Sequence, residues 1–176
     1  MDSRANGDDT ARGTGSSTSS RGPDMADRVS VSITIGGKLP ADRLPELYKL
    51  ADFYGLSTEW GGEPLESVTS GEPLRLHAHE VQDGNIEDIE DFCCTNDLPF
   101  RTWSGGSPGS FSPEVRVWPG HGPRAIFSAD DNESVVLTLQ EYNALGDLAA
   151  IGEHFRLGGF KPPALSIVPG KPETDS

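Results

Sequence analysis

The stretch "RVSVSITIG", from Arg28 to Gly36, sets Val29, Val31, Ile33 and Ile35 against Ser30, Ser32 and Thr34. A period of two puts the aliphatic set on one face and predicts a half-buried strand. What constrains the fold most is that this strand opens a strand–helix–strand unit that is then repeated. "LPADRLPELYKLADFYGL" places Leu44, Leu47, Tyr48, Leu50 and Ala51 at helical spacing. Pro45 fits only a first turn, so the helix starts near Asp42 or Leu44, and Gly55 supplies its stop. "LSTEW" (56–60) reads as a short strand ended by Gly61-Gly62. The second copy begins at "LRLHAHEV", with Leu74, Leu76 and Ala78 on one side and Arg75, His77 and His79 on the other. "NIEDIEDFCCTND" carries Ile86, Ile89, Phe92 and Cys93 on one helical stripe, and "LPFRTW" is the closing strand. Trp60 and Trp103 each stand just ahead of a glycine pair.

The order β-α-β-β-α-β over residues 29–104 resembles the ferredoxin-like arrangement, in which both helices cover one face of an antiparallel sheet. That resemblance carries no function, since the topology hosts many. Beyond it, Val115–Trp118 reads as a strand, and 124–127 with 134–139 as a hairpin turning at Asp130-Asp131-Asn132. "QEYNALGDLAAIGEHFRL" reads as a third helix with Tyr142, Leu145, Leu148, Ala149, Ile151 and Phe155 inside, and "ALSIV" as a last edge strand. The expectation is an α+β domain over 29–168, with a C-terminal β-hairpin and third helix extending the sheet or adding a small second one. Residues 1–28, rich in Gly, Ser and Thr, are too polar to offset the entropy of ordering and read as a disordered tail. Met25 stands as an alternative natural start. Residues 169–176 read as a flexible tail. The wording of 56–60, 74–81 and 98–106 ("LSTEW", "LRLHAHEV", "LPFRTWSGG") is similar to a family of uncharacterised small acidic bacterial proteins, a resemblance that implies no known activity.

Net charge is −14. It is unevenly spread: residues 59–97 hold eleven acidic side chains against Arg75 alone, a net −10. Residues 98–128 hold Glu114 against Arg101, Arg116 and Arg124. The second helix, with Glu87, Asp88, Glu90 and Asp91, is therefore either a solvated face or a docking surface for a basic protein partner. Direct nucleic-acid binding is not expected, because phosphates need Lys and Arg. No apolar run approaches the ~20 residues of a membrane helix, and no secretory leader pattern is present. Cys93 and Cys94 are adjacent, a spacing that disfavours a bridge. Two free thiols suit a cytoplasmic setting.

His77 and His79 project from one face of a strand, roughly 6–7 Å apart, and with His121 could hold a transition metal. His-x-His alone is a weak pattern, and a polar sheet face carrying two neutral imidazoles accounts for it as well. "DGNIEDIED" starts like a calcium loop with Asp83, Asn85 and Glu87, but Asp88 stands where the sharp turn needs Gly, so no calcium site is expected. Cys93 and Cys94 sit near a helix C-terminus among carboxylates, the reverse of what activates a thiol. The Gly-rich "SGGSPGS" lacks a lysine and phosphate-loop spacing. No cofactor is expected. The remaining candidate is the polar sheet face, where Ser32, Thr34, Arg75, His77, His79, Arg101 and Trp103 gather, a mixture suited to an anionic or aromatic group. A C-terminal cover over that face is the competing expectation. Three readings therefore stand: a non-catalytic acidic binding or regulatory protein, the accessory product of a bacterium or mobile element; a metal binder or metal-dependent enzyme on His77, His79 and His121; and a small-molecule binder on the polar face. Of the two tryptophans, Trp103 is the one expected to be drawn into function.

Overall fold

A computed structural model describes residues 26–170. The chain forms strand β1 (Arg28–Ile35), a short strand β2 (Gly37–Pro40), a 3-10 turn, helix α1 (Leu44–Tyr54), β3 (Leu74–Gln82), α2 (Glu87–Thr95) and β4 (Phe100–Ser104). It continues through β5 (Glu114–Trp118), β6 (Ala125–Ser128), α3 (Leu139–Leu145), α4 (Leu148–Gly158) and β7 (Leu165–Val168). The fold is mixed α and β. Five strands form one antiparallel sheet in the order β3-β1-β4-β5-β6, and β2 pairs with β7 in a parallel ribbon. The expected tails at 1–28 and 169–176, with Met25, lie outside the described residues except at their inner edges, where Arg28 already belongs to β1.

The two-residue period of β1 does what the pattern demands. Val31, Ile33 and Ile35 are fully buried and Val29 nearly so, against Leu47 and Ala51 of α1 and Ile89, Phe92 and Cys93 of α2. A fully buried aliphatic side chain contributes about 1.5–3 kcal/mol, so this face supplies most of the fold's driving force. Helix α1 has Pro45 in its first turn and ends on Gly55 at φ 65°, a left-handed cap that suits glycine.

Three expectations need correction. Residues 56–60 are not a strand: the segment makes one antiparallel bridge, Ser57 to His77, and then turns away. The Ser57 hydroxyl donates to the Glu59 carbonyl, and Gly62 N–H donates to the same carbonyl. Such local bonds compete with a ladder. The fourth strand of a complete ferredoxin-like sheet is thus missing, and 56–73 is a long loop. The C-terminal hairpin is β5–β6, not β6 with 134–139, which contributes only the bridge Ala129 to Val135. The third helix is two helices. Gly146, at φ 80°, ends α3, and the Asp147 carboxylate caps α4 by accepting from Ala150 N–H. Of the side chains expected inside, Tyr142, Leu148, Ala149 and Phe155 are exposed, and Leu145 and Ile151 are half-buried.

Register fixes the sheet's second face. Ser32 lies between His77 and Trp103, and Thr34 between Arg75 and Arg101. Val115, Val117, Ala125 and Phe127 continue this face across β5 and β6. They form a second cluster with Trp103, covered by Val135, Leu157 and Phe160. The C-terminal segment therefore roofs the β4–β6 half of this face, and the β3–β1 half keeps its polar side chains.

Candidate functional site: the polar cavity at Trp60

Strands β3, β1 and β4 bring Arg75, His77, His79, Arg101 and Trp103 to one face, as the alternation requires. They do not share one role. Trp103 is 6% exposed, and its indole N–H donates to the Asp130 carbonyl at 2.9 Å. Arg101 donates to the carbonyls of Gly158 (3.1 Å) and Glu133 (2.7 Å). Burial pulls its guanidinium pKa down from the usual value. Both side chains thus fasten the end of α4 and the turn at 130–133 to the sheet.

Arg75 and His79 remain accessible. The Arg75 guanidinium meets one Glu133 carboxylate oxygen at 2.8 Å, and His79 Nδ1 lies 3.1 Å from the Ser30 hydroxyl. A bulge between Val29 and Val31, with Glu80 at φ 60°, tilts the end of β3 here. His77 is buried, and its Nδ1 has no hydrogen-bond partner. Burial lowers its pKa, and Arg75 lowers it further, so the ring is held neutral.

Trp60, on the long loop, lies against both imidazoles, with ring centroids 4.5 Å from His77 and 4.7 Å from His79 and the planes tilted by 38° and 32°. The residue is still 43% exposed. It forms one side of an open, shallow depression of about 770 Å³, with Ser30, Arg75, His79, Arg101, Trp103 and Asn132 among the other lining residues. A second cavity of about 640 Å³, bordered by Phe160 and Lys161, shares Arg75, Arg101 and Glu133 with the first. Glu133 is a lining residue that sequence reasoning did not name, and Trp60 is one that it weighed and set behind Trp103. Trp60 announced itself only as an aromatic in a Gly- and Pro-flanked stretch, and Glu133 is placed by a turn rather than by any periodic pattern.

The acidic helix divides. Glu90 is 2% exposed and is held by Arg116 at 2.8 Å and Arg124 at 3.3 Å. Asp91 pairs with Arg124, and Glu114 with Arg116. Burial opposes the charge on Arg116, but Glu90 outweighs it and holds the guanidinium pKa up. Glu90 is therefore an internal counterion and cannot contact a partner, and Asp91 is already engaged. Glu87 and Asp88 remain on the surface, where Asp88 accepts from the Tyr54 hydroxyl at 2.9 Å. Burial and then this bond push the Tyr54 pKa up to about 12.

Among the described residues, no group of three or more His, Cys, Asp or Glu side chains is arranged to hold a metal ion, so His121 does not join His77 and His79. Cys93 and Cys94 are free, and burial raises the Cys93 thiol pKa well above its usual value. Among the described residues, no helix is long and apolar enough to cross a membrane. No family model, no curated protein and no solved structure matches the chain.

Proposed function

We propose that the protein is a non-catalytic binding protein whose ligand is a small planar molecule held in the cavity at Trp60. One observation carries this reading: Trp60, backed by two imidazoles and still 43% exposed as a residue, forms one side of an open depression of roughly 770 Å³ that Arg75 and His79 also line. Ligand sites of about 300–1,000 Å³ commonly combine apolar walls with a few fixed polar groups. The two imidazoles fix the indole plane beforehand, which lowers the ordering cost on binding. The test is titration with planar aromatic fragments, comparing wild type with Trp60→Ala. Loss of the stacking wall should weaken binding about tenfold. Unchanged affinity in a folded variant would remove the reading.

A second reading, docking of a basic protein segment, keeps support at the exposed part of the acidic helix, Glu87 and Asp88, and the adjoining end of β3. A groove of about 420 Å³ is lined by Glu80, Asp83, Glu87 and Asp88 against one cation, Arg28, with Phe53, 74% exposed, also lining it. An arginine-rich peptide that binds wild type but not a variant neutralised at these four positions would favour it. A cytoplasmic location belongs to both readings and is supported by the two free thiols. Residues 29–104 are read as a ferredoxin-like unit whose fourth strand is reduced to the Ser57–His77 bridge, supported by the order β3-β1-β4.

A further inference from the structure

Glu133 occupies an unusual position. Its backbone has φ 63°, a left-handed conformation that costs a residue with a Cβ about 1–2 kcal/mol. Its carbonyl accepts from Arg101 at 2.7 Å, and its carboxylate reaches Arg75 at 2.8 Å. Asp130 builds the turn that presents it: the Asp130 carboxylate accepts from the N–H groups of Asn132 and Ser134, and the Asp130 carbonyl accepts from Glu133 N–H. The Glu133 side chain is mostly covered, at 21% exposure, whereas that of Arg75 is 54% exposed. Both residues line each of the two adjoining spaces, as Arg101 does. A strained turn therefore holds a carboxylate on the more exposed of the two arginines beside Trp60.

We infer that Glu133 is a built-in stand-in for the ligand's own anion, and that the site takes a planar aromatic carboxylate, its ring on Trp60 and its carboxylate displacing Glu133 from Arg75. The inference rests on the cavity reading and adds the ligand's charge. Arg75 is suited to the role, because a guanidinium fork matches a carboxylate with two parallel hydrogen bonds and Glu133 engages it through a single oxygen. His79, anchored through Ser30, stands on the same wall and can donate to the incoming carboxylate.

The test uses 2-naphthoate and its uncharged isostere 2-naphthamide, titrated by calorimetry into wild type, Glu133→Gln, Asp131→Asn and Arg75→Met. Each variant's fold is checked by circular dichroism. Wild type is expected to bind the naphthoate more tightly than the amide. Glu133→Gln should tighten the naphthoate about fivefold and leave the amide within about twofold, the range set by releasing one partly exposed ion pair. Asp131→Asn removes an equal charge from the cavity lining without freeing Arg75 and should change little. Arg75→Met should erase the preference. Equal binding of both probes to wild type and to Glu133→Gln overturns the inference and leaves the cavity reading standing. An equal gain from Asp131→Asn shows general charge repulsion and overturns the displacement. Failure of both probes to bind both wild type and Glu133→Gln ends the inference and the cavity reading together.

Discussion

Replacing Glu90 with Gln keeps the shape of the side chain and removes its charge from the ion-pair cluster beneath α2. Glu90 is 2% exposed, and its arginine partners Arg116 and Arg124 have side chains 15% and 29% exposed. Breaking a buried pair by removing one partner costs about 3–5 kcal/mol, because a charge is left buried without compensation. Here the cost is smaller. Arg116 retains Glu114 and the Gly84 carbonyl, and Arg124 retains Asp91. The expected loss is about 2–3 kcal/mol, which lowers Tm by roughly 5–10 °C for a chain of this size. Urea denaturation of wild type, Glu90→Gln, Arg116→Met and the double variant measures both the loss and the coupling. The coupling should be at least ~1 kcal/mol, and the loss should persist in 0.5 M salt, since buried pairs are poorly screened. A loss below about 0.5 kcal/mol with additive single variants would mean that Glu90 swings into solvent, and the division of the acidic helix into inner and outer carboxylates would be wrong.

Other consequences are independent of that cluster. His77 is held neutral by burial and by Arg75, so its folded pKa lies below the unfolded value of 6.5. Its contribution to stability is complete above pH 6.5 and is lost as pH falls through the folded value; wild type minus His77→Gln, measured by urea melts from pH 7.5 to 5.5, should show that slope. Gly158 packs its backbone against the second cluster, and a Cβ there would stand 2.7 Å from Val135 Cγ2 and 3.2 Å from Phe127. Gly158→Ala should therefore destabilise by about 1–2 kcal/mol, overpacking outweighing the helix preference of alanine; a more stable variant would show that α4 sits loosely on the sheet. Cys94 should react slowly with a thiol reagent in the native state, and Cys93, fully buried, only on unfolding.

Periodic features were legible in the sequence. The alternation of β1 and β3 predicted which side chains share a face, and the register confirms the rows His77–Ser32–Trp103 and Arg75–Thr34–Arg101. The stripe on α2 was equally readable, and Ile86, Ile89, Phe92 and Cys93 are all buried. What periodicity could not convey was competition from local bonds and choice of partner. "LSTEW" has strand-like composition, but the Ser57–Glu59 and Gly62–Glu59 bonds bend it after one bridge. Gly146-Asp147 carried the helix break openly, as a stop followed by a cap, yet the apolar stripe running through it suggested one helix. Two arginines on one face looked like a single cationic patch. Only the fold shows that Arg101 is committed to backbone carbonyls and Arg75 to one carboxylate oxygen. Trp103 and Trp60 differ in cover for the same reason: the C-terminal roof buries Trp103 to 6% exposure and leaves Trp60 43% exposed, although both border the same depression.

The most direct test of the cavity follows the indole N–H resonances during addition of 2-naphthoate. The chain has three tryptophans. Those of Trp103 and Trp118 donate to the carbonyls of Asp130 and Gly122, and Trp60 is assigned by its loss in Trp60→Phe. The account predicts a saturable shift of the Trp60 resonance, with that of Trp118 unmoved. A Trp60 resonance that stays in place at saturating naphthoate would contradict it.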